Sequence, residues 1–153
     1  MRSYGFFMIV TLMLLAGCKG RKTVFEEFTS FERNNWQKFN LLSYDFEIDA
    51  PGGDYDIFLL VRYNENFPEK FLVFNAELIT SHGEQRLREY NLQLVGFEGN
   101  MLGAKSDGFY EAKKLLFKDL SFRETGKQLL EIQSMMKDYE VGGIEQIGLR
   151  VVN

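Results

Sequence analysis

Apolar and polar residues alternate along most of this chain with the period of two that marks half-buried β-strands. Leu42, Tyr44, Phe46 and Ile48 are interleaved with Ser43, Asp45 and Glu47, which predicts a strand over residues 41–49 with one wet face. Ala50-Pro51-Gly52-Gly53-Asp54 ends it, because proline lacks an amide donor and glycine accepts turn geometry. Residues 55–63 (YDIFLLVRY) and 70–80 (KFLVFNAELIT) are apolar on both faces in their middle, as strands covered on two sides are. Asn64 to Pro68 separates them as a loop. Ser81-His82-Gly83-Glu84 reads as a hairpin turn, and residues 85–95 return through Leu87, Tyr90, Leu92 and Leu94. Residues 96–108 form a glycine-rich loop. Residues 109–122 hold one or two short strands, with Leu115, Leu116, Phe117, Leu120 and Phe122 as core candidates. Residues 127–134 continue the strand pattern, but Leu129, Ile132, Met136 and Tyr139 also fit helical spacing, so a strand ending in a helical turn is expected there. After Gly142-Gly143, residues 144–152 make a last strand with Ile147, Leu149 and Val151 on one face. The earliest strand, over 24–31, is irregular in its spacing of Phe25, Phe28 and Phe31.

About seven to nine short strands without helices alternating between them predict an all-β fold, an antiparallel two-sheet β-sandwich of jelly-roll-like type over residues 24–153. Tyr44, Phe46, Ile57, Leu59, Val73, Leu92, Leu130 and Leu149 are its expected core residues.

The first eighteen residues follow a different rule. Arg2 precedes an almost unbroken apolar run from Tyr4 to Leu15, which ends at Leu15-Ala16-Gly17-Cys18. The run is shorter than the roughly 18 residues a hydrocarbon span needs, and small residues precede the cysteine, so residues 1–17 read as a secretory signal peptide instead of a retained anchor. Leu-Ala-Gly-Cys resembles the lipobox of bacterial lipoproteins, in which the cysteine sulfur takes a diacylglycerol bearing acyl chains such as palmitate and the cysteine becomes the first residue of the mature protein. Cys18 is the only cysteine in the chain. Residues 18–23, with Lys19-Gly20-Arg21-Lys22, are then a short lipid-anchored tether. Two or three acyl chains suffice for stable membrane attachment, since each buried methylene contributes roughly 0.8 kcal/mol and one chain alone holds only marginally.

Composition narrows the function classes. Aromatics make up 15% of residues and there are only 2 prolines, so the exported part has the material for one packed core. A net charge of −4 opposes any grip on nucleic acid, which is held through clustered Lys and Arg. With no cysteine beyond Cys18, the domain is stabilised without disulfides.

The inventory for catalysis is thin, and neither a catalytic residue nor a cofactor nor a metal site is assigned. His82, the lone histidine, sits in a turn without a carboxylate at ligand spacing. Asp45, Glu47 and Asp49 alternate as residues of a solvated strand face do. The loop from Asp49 to Asp56 holds three carboxylates but lacks the closing bidentate Glu of a helix-loop-helix calcium site. The glycine-rich loop has no Lys-Ser or Lys-Thr after it, so it is not a phosphate loop. Aromatics are the remaining candidates for contacts with a protein partner or a glycan. Trp36, in a polar connection, either plugs the end of the sandwich or projects outward. Phe97, Phe109 and Tyr110 flank the glycine-rich loop and either meet a partner or close the core.

Taken in order, several motifs resemble one family. The lipobox and spacer lead to Asn34-Asn35-Trp36, then a Tyr-x-Phe-x-Ile strand (Tyr44 to Ile48) and a Tyr-Asp-Ile strand from Tyr55. An Arg-Tyr-Asn-x-Asn-Phe-Pro turn (Arg62 to Pro68), a Gly-x-x-Leu-Gly loop (Gly99 to Gly103) and Asp107-Gly108-Phe109-Tyr110 follow. The last is Gly-Ile-Glu-x-Ile-Gly-Leu-Arg-Val (Gly143 to Val151). The whole resembles the gliding-motility lipoprotein H family (GldH) of Bacteroidetes. That resemblance implies a non-enzymatic cell-envelope lipoprotein, partnered by other envelope proteins of the gliding apparatus and its associated type IX secretion system. No catalytic residues carry over with it. The basic residues after Cys18, in place of the acidic ones associated in that phylum with surface export, point to an outer-membrane lipoprotein facing the periplasm. A glycan-binding sandwich is the alternative.

Overall fold

The computed structural model describes residues 20–153. The signal segment and Cys18 lie outside them. Eleven strands follow in order: β1 (Thr23–Ser30), β2 (Asn35–Gln37), β3 (Leu42–Ile48), β4 (Tyr55–Tyr63), β5 (Phe71–Ile79), β6 (Gln85–Gln93), β7 (Ala104–Ser106), β8 (Phe109–Leu120), β9 (Gly126–Ser134), β10 (Glu140–Gly142) and β11 (Ile144–Val152). One 3-10 turn, Glu32–Asn34, precedes β2.

All pairings are antiparallel. One sheet runs β1-β11-β4-β8-β7, the other β3-β9-β5-β6, and β10 with β2 makes a two-stranded flap. Leaving aside the three-residue strands, the eight longer ones are ordered 1-8-3-6 and 2-7-4-5, the arrangement of two Greek keys in a jelly roll. Among these eight, only β5 and β6 are joined within one sheet. Every other connection crosses between sheets at one end or the other, and the ends are therefore where loops accumulate.

The core follows the alternation. On β3, Leu42, Tyr44, Phe46 and Ile48 are buried while the residues between them are exposed. β4 is buried almost throughout, and Leu60 on its outer face is fully covered. Phe28 lies over Gly148 there, with the Arg62 guanidinium 3.9 Å from its ring centroid. The two sheets are also tied by a polar bond. The Tyr44 hydroxyl donates to the Ile147 carbonyl of the opposite sheet at 2.8 Å and lies 3.1 Å from Thr29 Oγ1, whose own proton can return the bond. Burial pushes the Tyr44 hydroxyl up to about 12.

Several expectations are corrected by this packing. Val73 is half-buried on the outer face, and Leu72 and Phe74 take the core positions of β5. Leu87 lies on the outer face of β6 opposite Glu77, and is 62% exposed. A register shift in the β4–β8 pairing turns both Leu116 and Phe117 inward and leaves Leu115 exposed. The expected helical turn after β9 is absent: Gln128, Leu130, Ile132, Ser134 and Met136 are all buried, a strict period of two. Two of those five are polar, which hides the alternation. Gln128 is satisfied inside, accepting from the Ser81 amide at 3.1 Å and donating to the Gly126 carbonyl at 2.9 Å. The glycine-rich loop is also partly paired, since β7 forms within it.

Candidate functional site

Strand direction sorts the loops into two groups. Thr23, the start of β1, pairs with Val152, and Ile48, the end of β3, pairs with Gly126. The chain's entry, its C-terminus and the loops at 49–54, 80–84 and 121–125 therefore share one end, the tether end. Loops 31–41, 64–70, 94–103 and 135–139 gather at the far end.

The far end carries the most exposed aromatic side chains. Phe97 and Phe39 are 75% and 73% exposed, and Tyr139 57%. Each is held by ordered backbone. Phe97 rides a tight turn closed by Gly96 N–H to Asn100 O at 2.7 Å and Gly99 N–H to Gly96 O at 3.0 Å. That turn is moored to β4 through Tyr63, whose hydroxyl donates to Leu94 O at 2.7 Å and accepts from the Gly103 amide at 2.8 Å. Burial pushes the Tyr63 hydroxyl above its ordinary value. Phe39 and Tyr139 meet edge to face, with centroids 5.8 Å apart at 60°. Lys38 N–H donates to Tyr139 O at 2.8 Å, continuing the β2–β10 flap.

Beside the Phe97 turn runs a groove of about 620 Å³ with an apolar floor of Phe71, Val73, Met135 and Met136. Lys70 and Lys137 line it, as do Glu69 and Asp138. The Lys70 ammonium sits 4.9 Å from the Phe97 centroid, so the groove and the Phe97 turn adjoin. The 64–68 loop is locked against the start of β11. At Gly143, with φ of +76°, a Cβ would fall 2.2 Å from the Phe67 amide nitrogen, so no side chain fits there.

The four aromatics singled out from sequence do not converge. Trp36 is fully buried, stacked on Phe31 at 5.9 Å and donating from Nε1 to Asn40 O at 3.1 Å. It plugs the far end and offers no surface to a partner. Tyr110 is half-buried, 5.9 Å from the Tyr63 ring, with its hydroxyl donating to Glu65 at 3.2 Å. Phe109 lies beneath Arg62 at 5.1 Å, an outer-face packing position. Phe97 alone of the four stands free. The sequence pattern does not single out Phe39 or Tyr139, although each is a large ring flanked by charged or polar residues, and Tyr139 also fits the helical spacing of its segment.

Chemistry at the other sequence candidates is sparse. His82 Nε2 lies 3.5 Å from Thr80 Oγ1 and 3.6 Å from Glu84, in the tether-end turn. Asp45, Glu47 and Asp49 are exposed. No group of three or more His, Cys, Asp or Glu residues able to hold a metal occurs among the described residues. No helix among the described residues is long and apolar enough to cross a membrane.

Among solved structures, the chain is similar to TmCBM61 in complex with β-1,4-galactotriose, at 13% identity and a TM-score of 0.34 over 83% of this chain and 86% of that one. Among curated proteins it is similar to the gliding motility lipoprotein GldH homolog of Christiangramia forsetii, 25% identical over 93% of this chain and 86% of the relative. The gliding motility lipoprotein GldH of Flavobacterium johnsoniae is 23% identical over 92% and 86% respectively. The GldH lipoprotein model matches residues 23–151, from the first residue of β1 almost to the end of β11. With that match spanning the whole sandwich, the chain belongs to the GldH lipoprotein family, the family of these gliding-motility lipoproteins.

Proposed function

We propose that the protein is a non-enzymatic docking component of the gliding apparatus and its associated type IX secretion machinery. Its signal peptide is removed, Cys18 carries the lipid, and the domain stands in the periplasm on the outer membrane. The observation that carries this reading is the placement of Phe39, Phe97 and Tyr139, with the Phe71–Met135 groove beside Phe97, at the end of the sandwich opposite the tether. Exposed rings of this size are a cost in solution and are enriched where partners bury them. A far-end site also leaves partner binding free of competition from the bilayer. Glycan binding would favour a platform of coplanar rings, whereas Phe39 and Tyr139 are tilted by 60°.

The test is a variant with Phe39→Ser, Phe97→Ser and Tyr139→Ser together. All three side chains are mostly exposed, so the melting temperature is expected to stay within a few degrees of the native value. Envelope proteins that co-purify with the native lipoprotein are expected to be lost. Unchanged co-purification would overturn the docking reading. Retention of the native protein on a polysaccharide gel, abolished in this variant, would replace it with glycan binding.

A further inference from the structure

Backbone pairing reaches upstream of β1: Lys22 N–H donates to Asn153 O at 2.7 Å, and Asn153 N–H returns to Lys22 O at 2.9 Å. The residue before, Arg21, leaves the ladder and is fastened by its side chain. Its guanidinium is paired with the Asp56 carboxylate, and Nη2 lies 2.7 Å from Asp119 Oδ1. Asp56 is the second residue of β4 and is buried, and Asp119 is the last but one of β8. The two aspartates are themselves joined, since Asp56 Oδ1 accepts the Asp119 amide at 2.8 Å. That bond accompanies a φ of +48° at Asp119, a left-handed conformation rare outside glycine. Arg21 therefore ties the entry of β1 to the neighbouring ends of two other strands. Its positive charge also compensates a buried carboxylate, which would be costly to leave unpaired. The Arg21 hydrogen bond holds the Asp119 carboxyl below its ordinary range.

This contact spends the arginine on the domain instead of on lipid headgroups. Only Lys19 and Gly20 separate it from Cys18. Three Cα steps reach about 10 Å when fully extended, less than the radius of gyration of about 14 Å for a domain of this size. The strap also steadies a weak place, because the β1–β11 register shifts immediately after Thr23 and an unfastened entry would peel back to that irregularity. We infer that the Arg21–Asp56–Asp119 clamp is an orientation strap. It holds the sandwich close against the membrane at a narrow range of tilts, with the far end directed outward, where a free tether would let it swing. The inference rests on lipidation at Cys18.

The test uses full-length lipidated protein, with Asp107→Cys carrying a fluorophore in the exposed β7–β8 turn, which lies at the far end because Tyr110 pairs with Tyr63 at the end of β4, reconstituted in vesicles holding a lipid-headgroup acceptor. Distance distributions are compared for the native tether, for four Gly-Ser residues inserted between Gly20 and Arg21, and for Arg21→Ala. The native tether is expected to give a single narrow distribution, and the insertion one at least twice as broad. Arg21→Ala is expected to broaden it as well and to raise exchange of the Lys22 amide at least tenfold. The insertion leaves the clamp intact, so its result stands even if Arg21→Ala folds poorly. A native distribution as broad as that of the insertion would overturn the strap. Protein that fails to float with vesicles would instead refute lipidation, a separate outcome.

Discussion

Trp36→Ala is expected to destabilise the domain by about 3–5 kcal/mol, lowering the melting temperature by roughly 10–20 °C. The indole is fully buried, stacks on Phe31 and donates to the Asn40 carbonyl. It also sits on β2, whose three residues pair with the three of β10, so the short flap is anchored mainly by this indole and the buried Val141. Truncation removes a large apolar side chain and leaves a void at the far end, under the segment that carries Phe39. Trp36→Phe keeps most of that volume and loses the hydrogen bond, so about 1–2 kcal/mol is expected. Thermal unfolding followed by circular dichroism measures both. A loss under 1 kcal/mol for the alanine variant would mean that the indole is not the plug.

Cys18→Ser is expected to have the largest effect on where the protein resides. A diacylated or triacylated amino terminus buries tens of methylenes at roughly 0.8 kcal/mol each, so the native protein should partition almost wholly with membranes. The serine variant lacks the sulfur that, on the proposed lipidation, accepts the diacylglycerol. It should remain an unprocessed precursor, without incorporated fatty-acid label. Labelling of cells with a tagged fatty acid, followed by immunoprecipitation, reads this directly; normal labelling and processing in the variant would end the lipoprotein reading.

Much of the fold could be read from local alternation because β3 and β11 bury one face and β4 both, and their side chains say so. The pattern fails where geometry departs from a regular strand or where a core position is polar. The β8 register shift puts neighbouring Leu116 and Phe117 on the same side, and Gln128 and Ser134 occupy inward positions of β9. Strand order was beyond local reading: β1 pairs with β11, joining Thr29 to Ile147, and nothing near either residue announces the other. At the far end, Phe97 was legible as a candidate, a large ring at the edge of a glycine-rich stretch, with partner contact and core closure equally open. Phe39 and Tyr139 were not, since their approach depends on the β2–β10 flap, whose strands are too short to leave a periodic trace. Trp36, a neighbour of Phe39 in sequence, went the other way because the flap carries it inward. The Arg21 clamp was equally hidden, its partners lying 35 and 98 residues away.

Position-resolved crosslinking in living cells tests the central claim most directly. A photoreactive residue is placed at Phe97 or Tyr139 on the far end, at Lys113 on the outer face of the five-stranded sheet, or at Arg123 at the tether end. The account predicts discrete adducts with envelope proteins from Phe97 and Tyr139, and none of those adducts from Lys113 or Arg123. Adducts of equal yield from all four positions, or from Arg123 alone, would contradict it.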